Sequence, residues 1–265
     1  MTYLVYTSVF GGYDRIFPPL IPESNVDYVI VTDDPALKVE GWRTHLVDVG
    51  GVASTSLANR YYKMLMHDVC SGYQASLYVD GNIRITGPMS DMFARFIEAD
   101  VALKLFAHPQ RGSVKAEVEH CIMTGQAFDP AGARAELAGY LADGFTDDIG
   151  LVEATILLKR HDIAGLDQAM QMWWELYRTH QNRDQFSLPY VLWKTGVSHS
   201  FHDFNFREPN PWFGMYPHRG DPEINARYAD LYARSYDSLV HRGLLGMWHG
   251  TWAVRRWLRR RLKQV

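Results

Sequence analysis

The period of apolar and polar positions changes several times along the chain, and each change marks an element. Residues 3–10 form a β-branched and aromatic run closed by Gly11-Gly12. Residues 27–32 (DYVIVT) form a second, closed by Asp33-Asp34-Pro35, and residues 44–49 a third. All three read as strands ended by turn chemistry. Across residues 56–70 the period lengthens: Leu57, Tyr61, Leu65 and Val69 share one face at helical spacing, with Ser54, Thr55 and Ser56 as candidate caps. Residues 75–79 (ASLYV) return to a short buried strand that stops at Asp80-Gly81-Asn82. Strand, helix, strand with ligand-type residues at strand ends is the order of an open α/β sheet, whose pockets lie beyond the carboxyl ends of its strands.

The second half continues in the same manner. Residues 101–107 read as a strand followed by a loop from His108 to Gly112; residues 114–124 and 131–141 read as helices, and residues 151–158 as a strand. An amphipathic helix is predicted over residues 162–179, with Trp173 and Trp174, and another over 184–193, interrupted near its middle by Pro189. Residues 196–222, rich in His, Pro, Asn and aromatics, are expected to wrap back over the sheet. There is no internal repeat. The pattern predicts an α/β fold: a mixed central sheet flanked by helices in one domain over residues 1–245, and a C-terminal tail over 246–265.

Composition narrows the class. At 265 residues, 47% hydrophobic and 13% aromatic, the chain can bury a sizeable core, which excludes a disordered, fibrous or disulfide-stapled protein. Cys70 and Cys121 lack CxxC or Cys/His spacing, so a thiolate metal site and a disulfide framework are not expected, and a reducing, cytoplasmic setting fits. The opening MTYLVYTSVFGGYD lacks the basic and long apolar segments of a signal peptide, and no apolar run reaches about 18 residues, so neither export by that route nor a membrane span is expected. The net charge of −3 hides an asymmetry: residues 251–265 hold six basic residues and no acid, leaving 21 basic against 30 acidic residues elsewhere. An acidic body argues against nucleic acid as a partner.

Asp80-Gly81-Asn82 is the most informative tripeptide. A carboxylate at a strand end and a second oxygen two residues later can face one hard divalent cation, with glycine permitting the bend; the same residues also make an ordinary turn. Arg60 and Lys63, three apart on one helical face, can neutralise a diphosphate, hold Asp80, or form a solvated face. Asp184 suits an N-cap at the start of an apolar helix. Glu153 lies on an otherwise apolar strand, where a charge needs a partner.

The stretch SLANRYYKMLMHDVCSGYQASLYVDGNIRI resembles the part of GT-A-type glycosyltransferases where an Arg- and Lys-bearing helix precedes a strand ending in the metal-binding D-x-D motif. The match is closer to the glycosyltransferase-like domain of bacterial polysaccharide-cluster proteins and plant Golgi mucilage proteins. Its pattern is present in order as YTSVFGGYD at 6–14, VTDDP at 31–35, NRYYKML at 59–65, LYVDGNI at 77–83, HPQR at 108–111 with Glu117 following, and WWELYRTHQNRDQFSLPYVLWKTG at 173–196.

The resemblance implies a GT-A-like enzyme that transfers a sugar from a UDP- or GDP-sugar to a glycan or glycolipid acceptor in surface-polysaccharide assembly. Thr7, Ser8, Val9 and Phe10 would line the nucleotide pocket, Asp33 would contact base or ribose, and Arg60, Lys63 and Arg111 would balance phosphate charge, Arg111 alternatively meeting the acceptor. Asp80 and Asn82 would hold Mn2+ or Mg2+, completed by a late histidine, His202 or its neighbour His199; Asn82 in place of the second Asp weakens such a site. Asp184-Gln185 resembles the D-Q step of the glycogenin and galactinol-synthase group and would act near the anomeric carbon, with Glu153 as a further acidic candidate.

Two other readings stay open: a sugar nucleotidyltransferase, whose Gly-rich loop GGYDRIFPP only loosely matches, and a non-catalytic glycan-binding protein, suited by the aromatics of residues 173–216. In the tail, Trp248, Trp252, Trp257, Leu258 and Leu262 can share one side of a helix flanked by arginines, the pattern of an anchor on an anionic membrane. That contact would place a cytoplasmic enzyme at the inner face of the membrane; a solvated helix or a partner-binding arm fits the same pattern.

Overall fold

In the computed structural model, which describes residues 2–50, 54–65, 68–126, 129–180, 182–218 and 222–262, the first strand sets the character of the sheet. β1 (Tyr3–Val9) is buried along nearly its whole length. Both of its faces are covered: Leu4 and Tyr6 enter one core cluster and Val5 the other. A strand covered on both sides needs a continuous apolar run rather than alternation, as the sequence has here.

The sheet has seven strands in the order β3-β2-β1-β4-β7-β6-β8. β2 (Val26–Thr32), β1, β3 (Arg43–Leu46) and β4 (Ala75–Val79) run parallel. β7 (Val152–Arg160) is antiparallel to both β4 and β6 (Leu103–Ala107), and β8 (His199–Phe201) extends the β6 edge in parallel. The expected class, a mixed central sheet flanked by helices, is the one observed. Reversal of β7 has a local consequence: the Asp80 N–H donates to the Thr155 carbonyl at 2.9 Å, so the start of β7 lies beside the end of β4. The carboxyl ends of β1, β2, β4 and β6 and the amino end of β7 therefore share one edge.

Helices α1 (Thr55–Met64), α5 (Leu166–His180) and α6 (Asp184–Thr195) pack in series, α1 on β1 and α5 and α5 on α6. The second face carries α2 (Ser90–Glu98), whose Met92, Phe93 and Phe96 are buried against β1, β4 and β7 residues. α3 (Val114–Met123) and α4 (Pro130–Ala142) build a third cluster with Phe186 and Tyr190 of α6. A two-stranded clasp of β5 (Ile83–Ile85) and β9 (Phe213–Met215) ties the chain after β4 to the late segment, under α7 (Pro222–Arg234) and the start of α8 (Leu239–Leu262). The wrap expected over residues 196–222 thus consists of β8, β9 and their connection. α8 runs as one helix across position 245/246, where the sequence suggested a boundary. Among the described residues, no helix is long and apolar enough to cross a membrane.

Four local expectations are corrected. The helix predicted over 56–70 stops at Met64, where Leu65 turns extended (ψ 155°), and resumes as a 3-10 turn, Asp68–Cys70. The helix predicted from residue 162 begins at Leu166, because the Asp162 carboxylate is engaged by Arg160 at 2.7 Å and Gln74 at 2.8 Å. Pro189 does not interrupt α6: residues 184–192 are all buried, and packing carries the helix past the missing N–H to Gly196, at φ +62°. Residues 47–49 leave the third strand, although Val47 and Val49 still pack on the core.

Gly87 is where the clasp and the linker to α2 come closest. A Cβ there would lie 2.2 Å from the Pro211 carbonyl oxygen, a backbone atom that can yield only if the clasp shifts. Gly87→Ala is expected to lower stability by about 1–3 kcal/mol, read as a fall in the melting temperature; an unchanged melting curve would show that the clasp yields freely.

Candidate active site

α1 enters the sheet edge with its first turn capped: Ser54 Oγ accepts from the Leu57 N–H at 3.1 Å. This places Asn59, Arg60 and Lys63 in line behind the end of β1. Asn59 Nδ2 donates to the Ser8 carbonyl at 2.7 Å and to Ser8 Oγ at 3.0 Å, and its Oδ1 receives Arg60 Nη1 at 2.6 Å. A cavity of about 330 Å³ opens above them, lined by Ser8, Val9 and Phe10 from β1 and its turn, Asn59 and Arg60 from α1, and Asp80 from the end of β4.

Beneath this cavity lies a cluster of buried charges. Lys63, 1% exposed, places its Nζ 2.7 Å from Asp184 Oδ2 and 3.5 Å from Asp80 Oδ1. Arg60 Nε sits 3.1 Å from the same Asp184 oxygen, a contact of charges without hydrogen-bond alignment. Burial pushes the Asp184 carboxyl up, but Arg60 and Lys63 outweigh it and hold the group well below the usual carboxylate range. Asp184 is thus a permanent anion with its charge already shared by two cations. It is not the N-cap that its position suggested: Arg183 holds that place, and Asp184, first in the helix, turns its side chain across to α1. Tyr78 OH donates to Asp80 Oδ1 at 3.1 Å, and Lys159, fully buried, fixes the backbone by donating to the Lys63 carbonyl at 2.6 Å. Burial lowers the Lys159 pKa to about 8.

Asp14 and His218 are among the cavity residues that were not singled out in the sequence. His218 Nδ1 lies 3.0 and 3.1 Å from the two oxygens of Asp14, whose side chain is only 7% exposed. The hydrogen bond to Asp14 raises the imidazole pKa, against burial. Asp14 itself is pressed on the D-G-N turn: a Cβ at Gly81 would come within 2.9 Å of Asp14 Oδ2, so glycine is needed there for space rather than for a left-handed bend. Asp14 lies within the YTSVFGGYD block; His218, 204 residues away, carries no local signal.

A second polar cluster occupies the β6–β7 side of the same edge. Glu153, 3% exposed, is gripped by both arms of Arg207, which supplies the partner that its apolar strand required. Arg111 pairs with Glu117, 1% exposed, and with His108 Nε2 at 2.9 Å; Arg183 Nε lies 3.5 Å from the other Glu117 oxygen, and its Nη2 donates to Gln185 Oε1 at 2.8 Å. Burial, ahead of the surrounding charges, lowers the His108 pKa.

The remaining expected residues lie apart from the cavity. Asp33 accepts from the Gly11 N–H at 3.1 Å and so fixes the turn after β1. That turn, with Gly11 and Gly12 at φ +60° and +62°, has Arg15 lying over the Phe17 ring, an arrangement unlike a phosphate loop. Thr7 is buried in β1. Asn82 donates to the Tyr216 carbonyl at 3.0 Å, while His202 stacks on Phe106 at 4.1 Å and burial takes its pKa down to about 3. A metal shared by Asp80, Asn82 and His202 does not fit this arrangement. Of the three, Asp80 alone faces the cavity, and among the described residues no three His, Cys, Asp or Glu side chains gather to hold a metal ion.

Because the folded-state pKa of His218 is raised, the stability of its pair with Asp14 is complete below about pH 6.5 and is lost as pH rises through the raised value. The melting temperature of the protein should exceed that of His218→Gln by more at about pH 6 than at about pH 9. An equal difference at both would show that the contact does not depend on charge.

Among solved structures, GlyE, a glycosyltransferase of Streptococcus pneumoniae TIGR4, superposes with a TM-score of 0.48 at 14% identity, over 94% of this chain and 63% of that one. The WbbM bifunctional glycosyltransferase in its apo form superposes with a TM-score of 0.45 at 12% identity, over 76% of this chain and 38% of that one. The chain thus spans less than two thirds of either. No curated protein matches the sequence. The family model of the TOD1/MUCI70 glycosyltransferase-like domain matches residues 2–211, most of the chain, and the protein belongs to that family.

Proposed function

We propose that the protein transfers a sugar from a nucleoside-diphosphate sugar to a glycan or glycolipid acceptor. The observation that carries this reading is the cavity at the ends of β1 and β4, lined by Asp80 and Arg60, with Lys63 and Asp184 paired to these two behind the lining. In such a transfer an acceptor hydroxyl oxygen bonds to the anomeric carbon as the bond from that carbon to the diphosphate oxygen breaks. The leaving diphosphate gains negative charge and the sugar ring passes through a cationic state. Ser8, Val9 and Phe10 shape the nucleotide end. Asp184, saturated by two cations, acts by locking Arg60 and Lys63 in place rather than by accepting a proton.

Among the described residues around the cavity, two fixed cations, Arg60 and Lys63, face three carboxylates, Asp14, Asp80 and Asp184. Among these described side chains a diphosphate therefore meets no surplus of positive charge. A divalent cation, Mn2+ or Mg2+, entering with the diphosphate beside Asp80 would supply it. Protonated His218 adds to the same balance.

Isothermal titration with UDP and GDP checks this directly. One of them is expected to bind with Mn2+ present and to weaken at least about tenfold in EDTA, with Asp80→Asn abolishing the difference. Asp184→Asn leaves Lys63 and Arg60 without their shared carboxylate, so it should lower stability by about 3–5 kcal/mol, and in the fraction that stays folded it should lower slow nucleotide-sugar hydrolysis by about 10- to 100-fold. Failure of every nucleoside diphosphate to bind would sink the proposal. Equal binding in EDTA would assign the charge balance to side chains alone.

A surface-polysaccharide role and a contact with an anionic membrane belong to the same proposal. α8 exposes Leu239, Val240, Leu244 and Met247 on its first turns and continues as helix into the Arg-rich tail; residues 263–265 and the side chains of 252–262 lie outside the described residues. Basic residues near an anionic surface contribute about 1 kcal/mol each. The full chain is expected to sediment with anionic but not zwitterionic liposomes, and removal of residues 251–265 to release it. Unchanged sedimentation of the truncated chain would exclude the tail as the anchor.

A further inference from the structure

We infer that the acceptor is an anion, and that its phosphate or carboxylate docks on the paired guanidinium groups of Arg111 and Arg183 at the β6–β7 side of the sheet edge. This rests on the reading of the protein as a glycosyltransferase, and it names a substrate class that the reading leaves open.

The argument starts from charge balance. A buried carboxylate requires a partner, and one guanidinium satisfies it in both charge and geometry, as Arg207 does for Glu153 through two nitrogens. Glu117 has two: Arg111 on one oxygen and Arg183 on the other. The carboxylate is 1% exposed, whereas the two arginine side chains are 18% and 38% exposed, so the unbalanced positive charge is turned outward. His108, which also touches Arg111, has its pKa lowered, and so adds no compensating anion and little charge of its own. The other carboxylate of the cluster, Glu153, is already occupied by Arg207.

Placement says what this charge is for. Arg183 donates to Gln185, the neighbour of Asp184 at the start of α6, while Arg207 holds Glu153, two residues before the Thr155 carbonyl that accepts from the Asp80 N–H. The guanidinium pair, which does not itself line the donor cavity, is therefore tied through Gln185 to the Asp184 cluster behind it. Excess cation on an otherwise acidic body is selective, since the chain outside its tail carries 21 basic against 30 acidic residues. Two guanidiniums are set on one buried carboxylate; Arg183 also donates through Nη1 to Gln126 Oε1 at 3.4 Å and through Nη2 to Gln185, and each terminal nitrogen carries a second N–H to offer an anion oxygen. A phosphate next to a lipid and a uronic-acid carboxylate share this chemistry.

The test measures binding of galactose 1-phosphate, galacturonate and methyl galactoside to the full chain, with and without UDP and Mn2+. The acidic sugars are expected to bind at least about tenfold more tightly than the neutral one and to weaken with rising salt. Preference between the two acids tells a phosphate acceptor from a carboxylate one. Arg183→Gln should remove at least about tenfold of the acid affinity while UDP binding stays within about twofold. The double variant Arg111→Gln/Glu117→Gln removes one cation and one anion, so it should fold and keep the net charge, and it should still lose acid affinity because only one guanidinium remains to hold the anion. Equal binding of acidic and neutral sugars, no binding of either acid, or variants that bind the acids as before would each overturn the inference. Loss of UDP binding with the acid preference intact would instead overturn the donor reading and leave this site standing.

Discussion

Everything at the sheet edge depends on one buried ion pair, Lys63 with Asp184, which joins α1 to α6 across 121 residues of sequence. Neither charge could remain there alone: breaking a buried pair by removing one partner typically costs about 3–5 kcal/mol, because the other is left uncompensated. The backbone at each end is also braced. The Lys63 carbonyl is held by Lys159, and the Asp184 carbonyl accepts from Trp173 Nε1 at 2.9 Å. Arg60 then adds a second cation to Asp184, and through Asn59 connects the cluster to the backbone of Ser8. The end of β1, the first helix and the D-G-N turn are thereby held in one rigid frame.

The antiparallel strand β7 divides the edge into two regions of opposite electrostatic character. On the β1–β4 side, carboxylates outnumber the fixed cations among the described residues. On the β6 side, guanidiniums outnumber carboxylates. β7 connects them, since Thr155 bonds the backbone of Asp80 while Glu153, two residues earlier, is held by Arg207. Under the proposed function, a donor and an acceptor of different charge would occupy neighbouring places without competing for either. The clasp of β5 with β9 brings His218 to the first region and Arg207 to the second, so the late segment completes both.

Much of this organisation was legible in the chain. The strands at 3–10, 27–32 and 75–79 could be read because continuous apolar runs ending in Gly, Asp or Pro leave few alternatives. Asp80, Arg60 and Lys63 could be singled out because a strand end and a helical face restrict where such groups point. Local grammar failed wherever a distant partner decided the outcome. Asp184 reads as a cap but is drawn to α1 by two cations; Asp162 reads as a helix start but is taken by Arg160 and Gln74; Asn82 reads as a ligand but bonds Tyr216. His202 and His218 illustrate the same limit, because both lie in one aromatic-rich segment and only packing sends one to Phe106 and the other to Asp14.

The sequence by itself determined the α/β class, the family pattern and the presence of strand-end acids beside a basic helix, because hydrophobic period and turn chemistry act over a few residues. Tertiary structure decided which acid meets which base. Salt bridges form between residues 17, 54 or 121 positions apart, and their geometry exists only once β7 has been laid antiparallel between β4 and β6. A charge is informative in sequence as a residue type, but its chemistry depends on burial and on its nearest opposite charge, and both are properties of the folded chain.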